Sequence, residues 1–231
     1  MTQTPQEQTK RITAWPRLAG ALLLLVVIIV GGSVVATAVL PADPAVEPER
    51  YVGVSFVGSA AGELVAVALL VCLLRCSGMA LRHIGLGRPT TGVAVAAGMA
   101  LAIAYAAVTA AGVPAVVHSA FAVTGLKLVS VVTTVLIVGV VEEVIFRGYL
   151  MTAAASMGHG RFVQVLASGV AFGLAHPTAP INMVFTFVLG VSLALVYLLG
   201  NRSLTPVIIA HMLVNLIIEP GLALGATEYI R

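Results

Sequence analysis

Residues 126–148 read LKLVSVVTTVLIVGVVEEVIFRG. The run stays apolar for about 20 residues, which is roughly the length that an α-helix needs to cross the hydrocarbon core of a bilayer. Near its end it carries two adjacent glutamates, Glu142 and Glu143, followed by Arg147. Ionisable side chains inside a membrane span are costly and usually functional. This stretch therefore predicts a membrane helix with a polar site in it.

The whole chain has the composition of an integral membrane protein. Of its 231 residues, 60% are hydrophobic and 9% are charged, and the mean hydropathy is +1.09. These values exclude an ordinary soluble domain. Because a helix satisfies its own backbone hydrogen bonds in lipid, and no alternating strand pattern is visible, we predict an all-α, polytopic transmembrane helical bundle.

We predict about seven membrane spans. The first apolar run is longer than the apolar region of a signal peptide and is therefore interpreted as an uncleaved span. If the N-terminus is cytoplasmic, nine of the 12 Lys and Arg residues fall on the cytoplasmic side, as the positive-inside rule requires. The predicted location is the plasma membrane, and the small, compact chain suggests a bacterial one. The spans lie at residues 18–40, 52–74, 91–112, 126–148, 161–176, 181–200 and 204–219.

Two further polar pairs lie in the later apolar runs. Phe172 precedes His176 by four residues, and His211 precedes Asn215 by four residues. Residues four apart share one face of a helix. Taken singly, each pair has a structural interpretation, such as a histidine at a helix C-terminus or a hydrogen bond between helices. Together with the glutamates, they supply the carboxylate, imidazoles and amide donor that hydrolysis of an amide or ester requires.

The helical spacing distinguishes the two adjacent glutamates. Glu143 and Arg147 are four residues apart and are predicted to form an ion pair along the helix. Glu142 points about 100° away, so it is less compensated and is the better candidate for a general base. Glu63, in the second span, is a separate carboxylate with a structural or access-path role, and a direct role in the chemistry also stays open.

The order Glu-Glu-x-x-x-Arg, Phe-x-x-x-His and His-x-x-x-Asn resembles the CPBP family, which comprises the CAAX prenyl endopeptidases and the bacteriocin-processing (Abi) membrane proteins. The resemblance covers roughly residues 125–220. It implies a catalytic transmembrane core there, with the site on the C-terminal four helices. The remaining parts are then a cytoplasmic tail at 1–17, N-terminal helices at 18–124 and a C-terminal tail at 221–231.

The family resemblance also implies a role for each motif residue. Glu142 activates the attacking water together with His176. His211 and Asn215 stabilise the oxyanion of the tetrahedral intermediate. Glu143 and Arg147, which form the ion pair, support this arrangement. Phe172 is expected only to pack against its neighbours.

Two versions of this chemistry remain open. In one, Glu142, His176 and His211 hold Zn²⁺ and leave a position for water. In the other, carboxylate and imidazole activate the water directly. The sequence lacks His-Glu-x-x-His, and this favours the version without a metal. Cys72 and Cys76 are interpreted as ordinary apolar residues. No cofactor is favoured, and Zn²⁺ stays the open alternative.

These features predict an intramembrane endopeptidase that acts on a membrane-associated or lipidated peptide or protein. Its expected partners are that substrate and membrane lipid. Nucleic acid is not expected, because the basic residues are spread between spans and do not form one patch.

The alternative function is that of a non-catalytic immunity or regulatory protein of the same fold. A small transporter is a third hypothesis, but the internal repeats common in transporters are not visible.

Overall fold

A computed structural model describes residues 31, 38, 48–76, 80–112, 132, 134–176 and 180–225 of the chain. This described part is helical and contains no strand, which confirms the all-α class. A short 3₁₀ segment, Leu81–Ile84, follows the first helix. The six helices are α1 (Pro48–Cys76), α2 (Gly92–Gly112), α3 (134–156), α4 (Arg161–Leu174), α5 (Pro180–Leu199) and α6 (Thr205–Gly225).

The helix boundaries follow local chemistry. Pro48 and Pro180 begin α1 and α5, where the missing N–H of proline costs no hydrogen bond. The hydroxyl of Thr91 accepts a hydrogen bond of 3.2 Å from the N–H of Ala94 and caps the start of α2. The predicted spans at 52–74, 91–112, 161–176, 181–200 and 204–219 correspond to helices within a few residues. The fourth, at 126–148, is described almost entirely from residue 134 onwards, and its helix continues to Ser156. The first, at 18–40, lies almost entirely outside the described residues.

The number of membrane spans stays a prediction. Among the described residues, α5 is the helix that is both long and apolar enough to cross a bilayer by length and composition. The shorter apolar helices cover Gly92–Val108, Arg161–Leu174 and Thr205–Leu216. The 14 residues of α4 rise about 21 Å, less than the thickness of a hydrocarbon core, as its sequence suggested.

Helix α3 is irregular in a way that the sequence pattern did not predict. It consists of a π-helical segment, Thr134–Val138, an α-helical segment, Gly139–Glu143, a second π-helical segment, Val144–Leu150, and a final α-helical turn, Met151–Ser156. The residues at the joints keep right-handed helical angles, so the helix is continuous. The regular helical spacing assumed from the sequence is therefore wrong for residues 134–138 and 144–150, although the predicted pair of Glu143 and Arg147 forms. Single π-helical turns occur frequently at functional sites.

The buried core surrounds the middle of α3. Every residue from Val141 to Leu150 is buried, and the core continues into α5 and α6 through Leu193 and Val207. Large apolar side chains on other faces are exposed, among them Leu64 and Phe162. An apolar outer surface over a packed interior is the arrangement expected of helices in lipid.

Contacts at one end of the bundle fix the start of α6. The N–H of Leu204 donates to the carbonyl of Gly85 over 3.1 Å, and the hydroxyl of Ser203 donates to the carbonyl of Arg88 over 2.9 Å. Gly85 has a φ of 98°, a left-handed conformation that favours glycine. These bonds hold the loop before α6 and thereby set the position of the polar residues further along that helix.

Candidate active site

A buried ion pair lies at the centre of α3. The Nη1 atom of Arg147 is 2.6 Å from Oε1 of Glu143, and both side chains are fully buried. This confirms the pairing predicted from their four-residue spacing. The second terminal nitrogen of Arg147 donates to the carbonyl oxygen of Gly190 on α5 over 3.1 Å. Arg147 therefore connects α3 with α5 as well as neutralising Glu143.

The contact with Gly190 depends on the close approach of α4 and α5. A Cβ atom at Gly190 would lie 3.0 Å from the Cα of Gly169 and 3.0 Å from the Cβ of Phe172. Real Cβ atoms rarely come so close to other atoms. The absence of a side chain at Gly190 thus lets the two helices pack backbone to backbone, as small residues do in membrane bundles.

Phe172 is the aromatic centre of the site. The guanidinium carbon of Arg147 lies 4.4 Å from the centre of its ring, a cation–π contact. The rings of Phe146, His176 and His211 lie at centroid distances of 5.3, 4.8 and 5.7 Å. The sequence assigned Phe172 to packing alone, but its ring contacts the arginine and both motif histidines.

His211 on α6 shares an acceptor with Arg147. Its Nδ1 atom is 2.8 Å from Oε1 of Glu143, the same oxygen that binds the guanidinium group. An ionised carboxylate only accepts hydrogen bonds, so Nδ1 of His211 is the donor. This contact fixes the orientation of the imidazole and directs its other nitrogen towards Glu142.

Glu142 lies between the two motif histidines. Its Oε2 atom is 3.6 Å from Nε2 of His211, and its Oε1 atom is 3.9 Å from Nε2 of His176. Both distances exceed a direct hydrogen bond, and one water molecule at the side of each pair can contact both groups. The Glu142 side chain is 5% exposed, whereas that of His176 is 33% exposed. Of these two side chains, His176 is therefore the more accessible.

His176 stands just beyond the end of α4. Its Nδ1 atom is 2.9 Å from the carbonyl oxygen of Phe172, which only accepts, so Nδ1 is the donor here also. This bond fixes the orientation of the imidazole just beyond the helix end.

Asn215 reaches α3 one turn before Glu142. A Cβ atom at Gly139 would lie 3.4 Å from the amide nitrogen of Asn215, so the amide packs against the bare backbone of that glycine. Asn215 also lies one turn beyond His211 on α6. All the motif residues singled out in the sequence thus gather around the middle of α3, although they come from three separate helices.

A further buried carboxylate, Glu63, lies on α1, and it is 3% exposed. Its position in an apolar span was visible in the sequence.

The residues do not form a closed metal-binding cluster. Among the described residues, no group of three or more His, Cys, Asp or Glu side chains is arranged to hold a metal ion. Glu142, His176 and His211 face each other, but His211 is also tied to Glu143 through Nδ1. The mechanism proposed for this site follows the version without a metal, which the sequence favours, and the zinc version stays the alternative.

One family model matches the part of the chain that contains these residues. Residues 124–217 match the model of the family described as type II CAAX prenyl endopeptidase Rce1-like. This core of the chain is similar to the Rce1-like family. The match confirms the resemblance to CAAX proteases, and the Rce1-like family is membrane-embedded. The Rce1-like segment holds all three motifs and leaves out α1 and α2. Neither the curated proteins nor the solved structures compared with the chain gave a match.

Proposed function

We propose that this protein is an intramembrane endopeptidase that hydrolyses a peptide bond of a membrane-associated or lipidated peptide or protein. The observation that carries the proposal is the position of Glu142. It is a buried carboxylate between two imidazoles from different helices, and its neighbour Glu143 already engages the arginine. Such a carboxylate is suited to accept a proton from water.

The first step is attack by water on the scissile carbonyl carbon. A water molecule held between Glu142 and His176 gives its proton to the Glu142 carboxylate as its oxygen bonds to the carbon. The gap of 3.9 Å between Oε1 and Nε2 supports this placement of the water. Holding the water in position lowers the entropic cost of the attack.

The developing oxyanion needs hydrogen-bond donors. His211 donates through a protonated Nε2, and the positive imidazole is stabilised by Glu143 at Nδ1. Asn215, one turn further along α6, contributes its neutral amide. When the intermediate collapses, Glu142 returns the proton to the leaving amine, and the C–N bond breaks. One water is consumed, and a carboxylate and an amine are formed.

The proposal includes a cellular setting. We place the protein in a plasma membrane, of bacterial type, with its N-terminus in the cytoplasm. A peptide that already lies in or on the membrane enters beside His176, and lipid surrounds the apolar outer faces. Substrates of this kind include exported peptides, lipidated proteins and bacteriocin-like peptides.

The proposed function is tested by comparing the membrane proteomes of two strains, one with the wild-type chain and one with Glu142→Ala. We expect new peptide termini in the wild-type strain that are missing from the variant strain at equal levels of the membrane protein. Identical sets of termini would contradict the proposal and favour the non-catalytic role.

A metal analysis separates the two chemical versions of the site. We expect purified, active protein to contain much less than one equivalent of zinc and to keep its activity in a chelator, because the residues present do not form a closed ligand cluster. Elemental analysis and peptide cleavage before and after chelation measure this. Stoichiometric zinc, together with a loss of activity that zinc reverses, would show that the metal version is correct.

A further inference from the structure

An apolar groove runs along the outer face of the bundle between α4 and α5. Two adjoining cavities form it, and both are lined by Phe162 and Val165 on α4. The lining residues on α5 recur every three or four positions and therefore form one face of that helix. They include Val188, Val191, Leu195, Leu198 and Leu199.

The groove is accessible from outside the bundle, and its α5 side suits an apolar occupant. Phe162 is 78% exposed, and Leu195 is 55% exposed. The hydroxyl of Ser192, which also lines the groove, already donates to the carbonyl of Val188 over 2.9 Å. A polar ligand would therefore gain little along α5, whereas a hydrocarbon chain would cover exposed apolar surface.

The length of the groove matches one leaflet of a bilayer. Leu199 lies 11 positions after Val188 on α5. At 1.5 Å per residue, this separation corresponds to a rise of about 16 Å. The hydrocarbon core of a bilayer is about 30 Å thick, so one leaflet contributes about 15 Å. The groove is therefore about as long as the acyl-chain region of a single leaflet.

A basic side chain stands at one end of the groove. Arg161 lines it beside Leu198 and Leu199. Arg161 is exposed, and none of the ion pairs among the described residues includes it. A second arginine, Arg202, is close, because its guanidinium group donates to the side-chain oxygen of Gln164, three positions after Arg161 on α4.

Hydrogen bonds connect the loops at this end of the bundle. The side-chain amide of Gln164 donates to the carbonyl of His159 over 2.5 Å, and the hydroxyl of Ser203 donates to the carbonyl of Arg88 over 2.9 Å. The loops at 80–91, 157–160 and 200–204 carry three arginines and two histidines but no Asp or Glu. Their positive charge is therefore not neutralised by acids of the same loops.

We propose that the groove binds an anionic phospholipid, whose phosphate pairs with Arg161 and whose acyl chain lies between α4 and α5. A guanidinium group binds phosphate oxygens through charge-assisted, often bidentate hydrogen bonds. A zwitterionic lipid has the same phosphate, but its ammonium group would meet further arginines and no carboxylate of these loops. The sequence places these loops on the cytoplasmic side, where anionic lipids attract basic segments. The inference uses the membrane setting of the proposed function but not its chemistry.

Native mass spectrometry of retained lipid tests the contact with the headgroup. The full chain is reconstituted in liposomes of phosphatidylglycerol and phosphatidylcholine in equal parts and then released in a mild detergent. We expect the wild-type protein to retain phosphatidylglycerol in preference. Arg161→Gln should lower this retention about tenfold, the effect of losing a hydrogen bond between charged groups. Arg75→Gln removes the same charge from an exposed position on α1 and should retain the lipid as the wild type does.

A bulky substitution tests the contact with the acyl chain. Leu195→Trp fills the groove, so we expect it also to lower the retention of phosphatidylglycerol. Ile103→Trp introduces the same side chain at an exposed position on α2, outside the groove, and should have no effect. Circular dichroism of each variant checks that it folds like the wild type.

Several results would overturn the inference. They are equal retention of the two lipids by the wild type, equal losses in Arg161→Gln and Arg75→Gln, and full retention in Leu195→Trp. A dimer free of lipid would assign the groove to a second copy of the chain, and displacement of the lipid by inorganic phosphate would assign the arginine to a free anion. None of these measurements needs a substrate, so the lipid site and the peptidase activity can fail separately.

Discussion

Replacing Glu142 with glutamine is expected to lower kcat by about 10²–10⁴-fold, the usual contribution of a general base. The amide is close to the carboxylate in size, so packing among the surrounding buried side chains is retained. What is lost is the ability to take a proton from the water beside His176. The measurement is cleavage, in liposomes, of a synthetic peptide that spans a cleavage site identified in membranes.

Glu219→Gln is the matched control for this change. It replaces the same residue type eight positions after His211, outside the motifs, and should leave kcat unchanged. Both variants should insert and unfold like the wild-type protein. Full activity of Glu142→Gln would show that another group is the base.

Replacing Arg147 with methionine is expected to lower the free energy of unfolding by about 3–5 kcal/mol, the typical cost of removing one partner of a buried ion pair. The change leaves the Glu143 carboxylate with the imidazole of His211 as its remaining partner, and Oε2 of Glu143 already has none. It also removes the hydrogen bond to Gly190 and the contact with Phe172. Unfolding in mixed micelles, followed by circular dichroism, measures the loss.

A double variant separates the charge effect from lost packing. Adding Glu143→Gln to Arg147→Met leaves no uncompensated charge, so we expect a large part of the lost stability to return. Activity should not return with it, because His211 then lacks the carboxylate that supports its positive charge. A double variant that is no more stable than Arg147→Met alone would show that the ion pair matters only through packing.

Local spacing predicted the contacts that lie along a single helix. Glu143 and Arg147 are four residues apart on α3, and the ion pair between them follows from that spacing. The sequence also predicted where most of the described helices lie, because prolines and long apolar runs determine where helices begin and how far they extend. The resemblance of three short motifs to one family then indicated which residues would gather, and the structure brings them together.

Contacts between helices could not be derived in this way. Gly190 is 43 residues from Arg147 in sequence, and no pattern around it indicates that its carbonyl faces a guanidinium group. The burial of Glu63 depends equally on how α1 packs. The π-helical turns of α3 were missed because a count of apolar positions assumes 3.6 residues per turn throughout.

The two hydrogen bonds accepted by Oε1 of Glu143 also bear on how this site tolerates sequence change. Arg147 and His211 lie on different helices but depend on the same atom, so the effect of a substitution at one position depends on the residue at the other. A substitution at one of these positions that lowers stability in the wild-type protein is expected to lower it less when a second of the positions is also changed. Natural or laboratory evolution of this protein is therefore expected to change positions 143, 147 and 211 together.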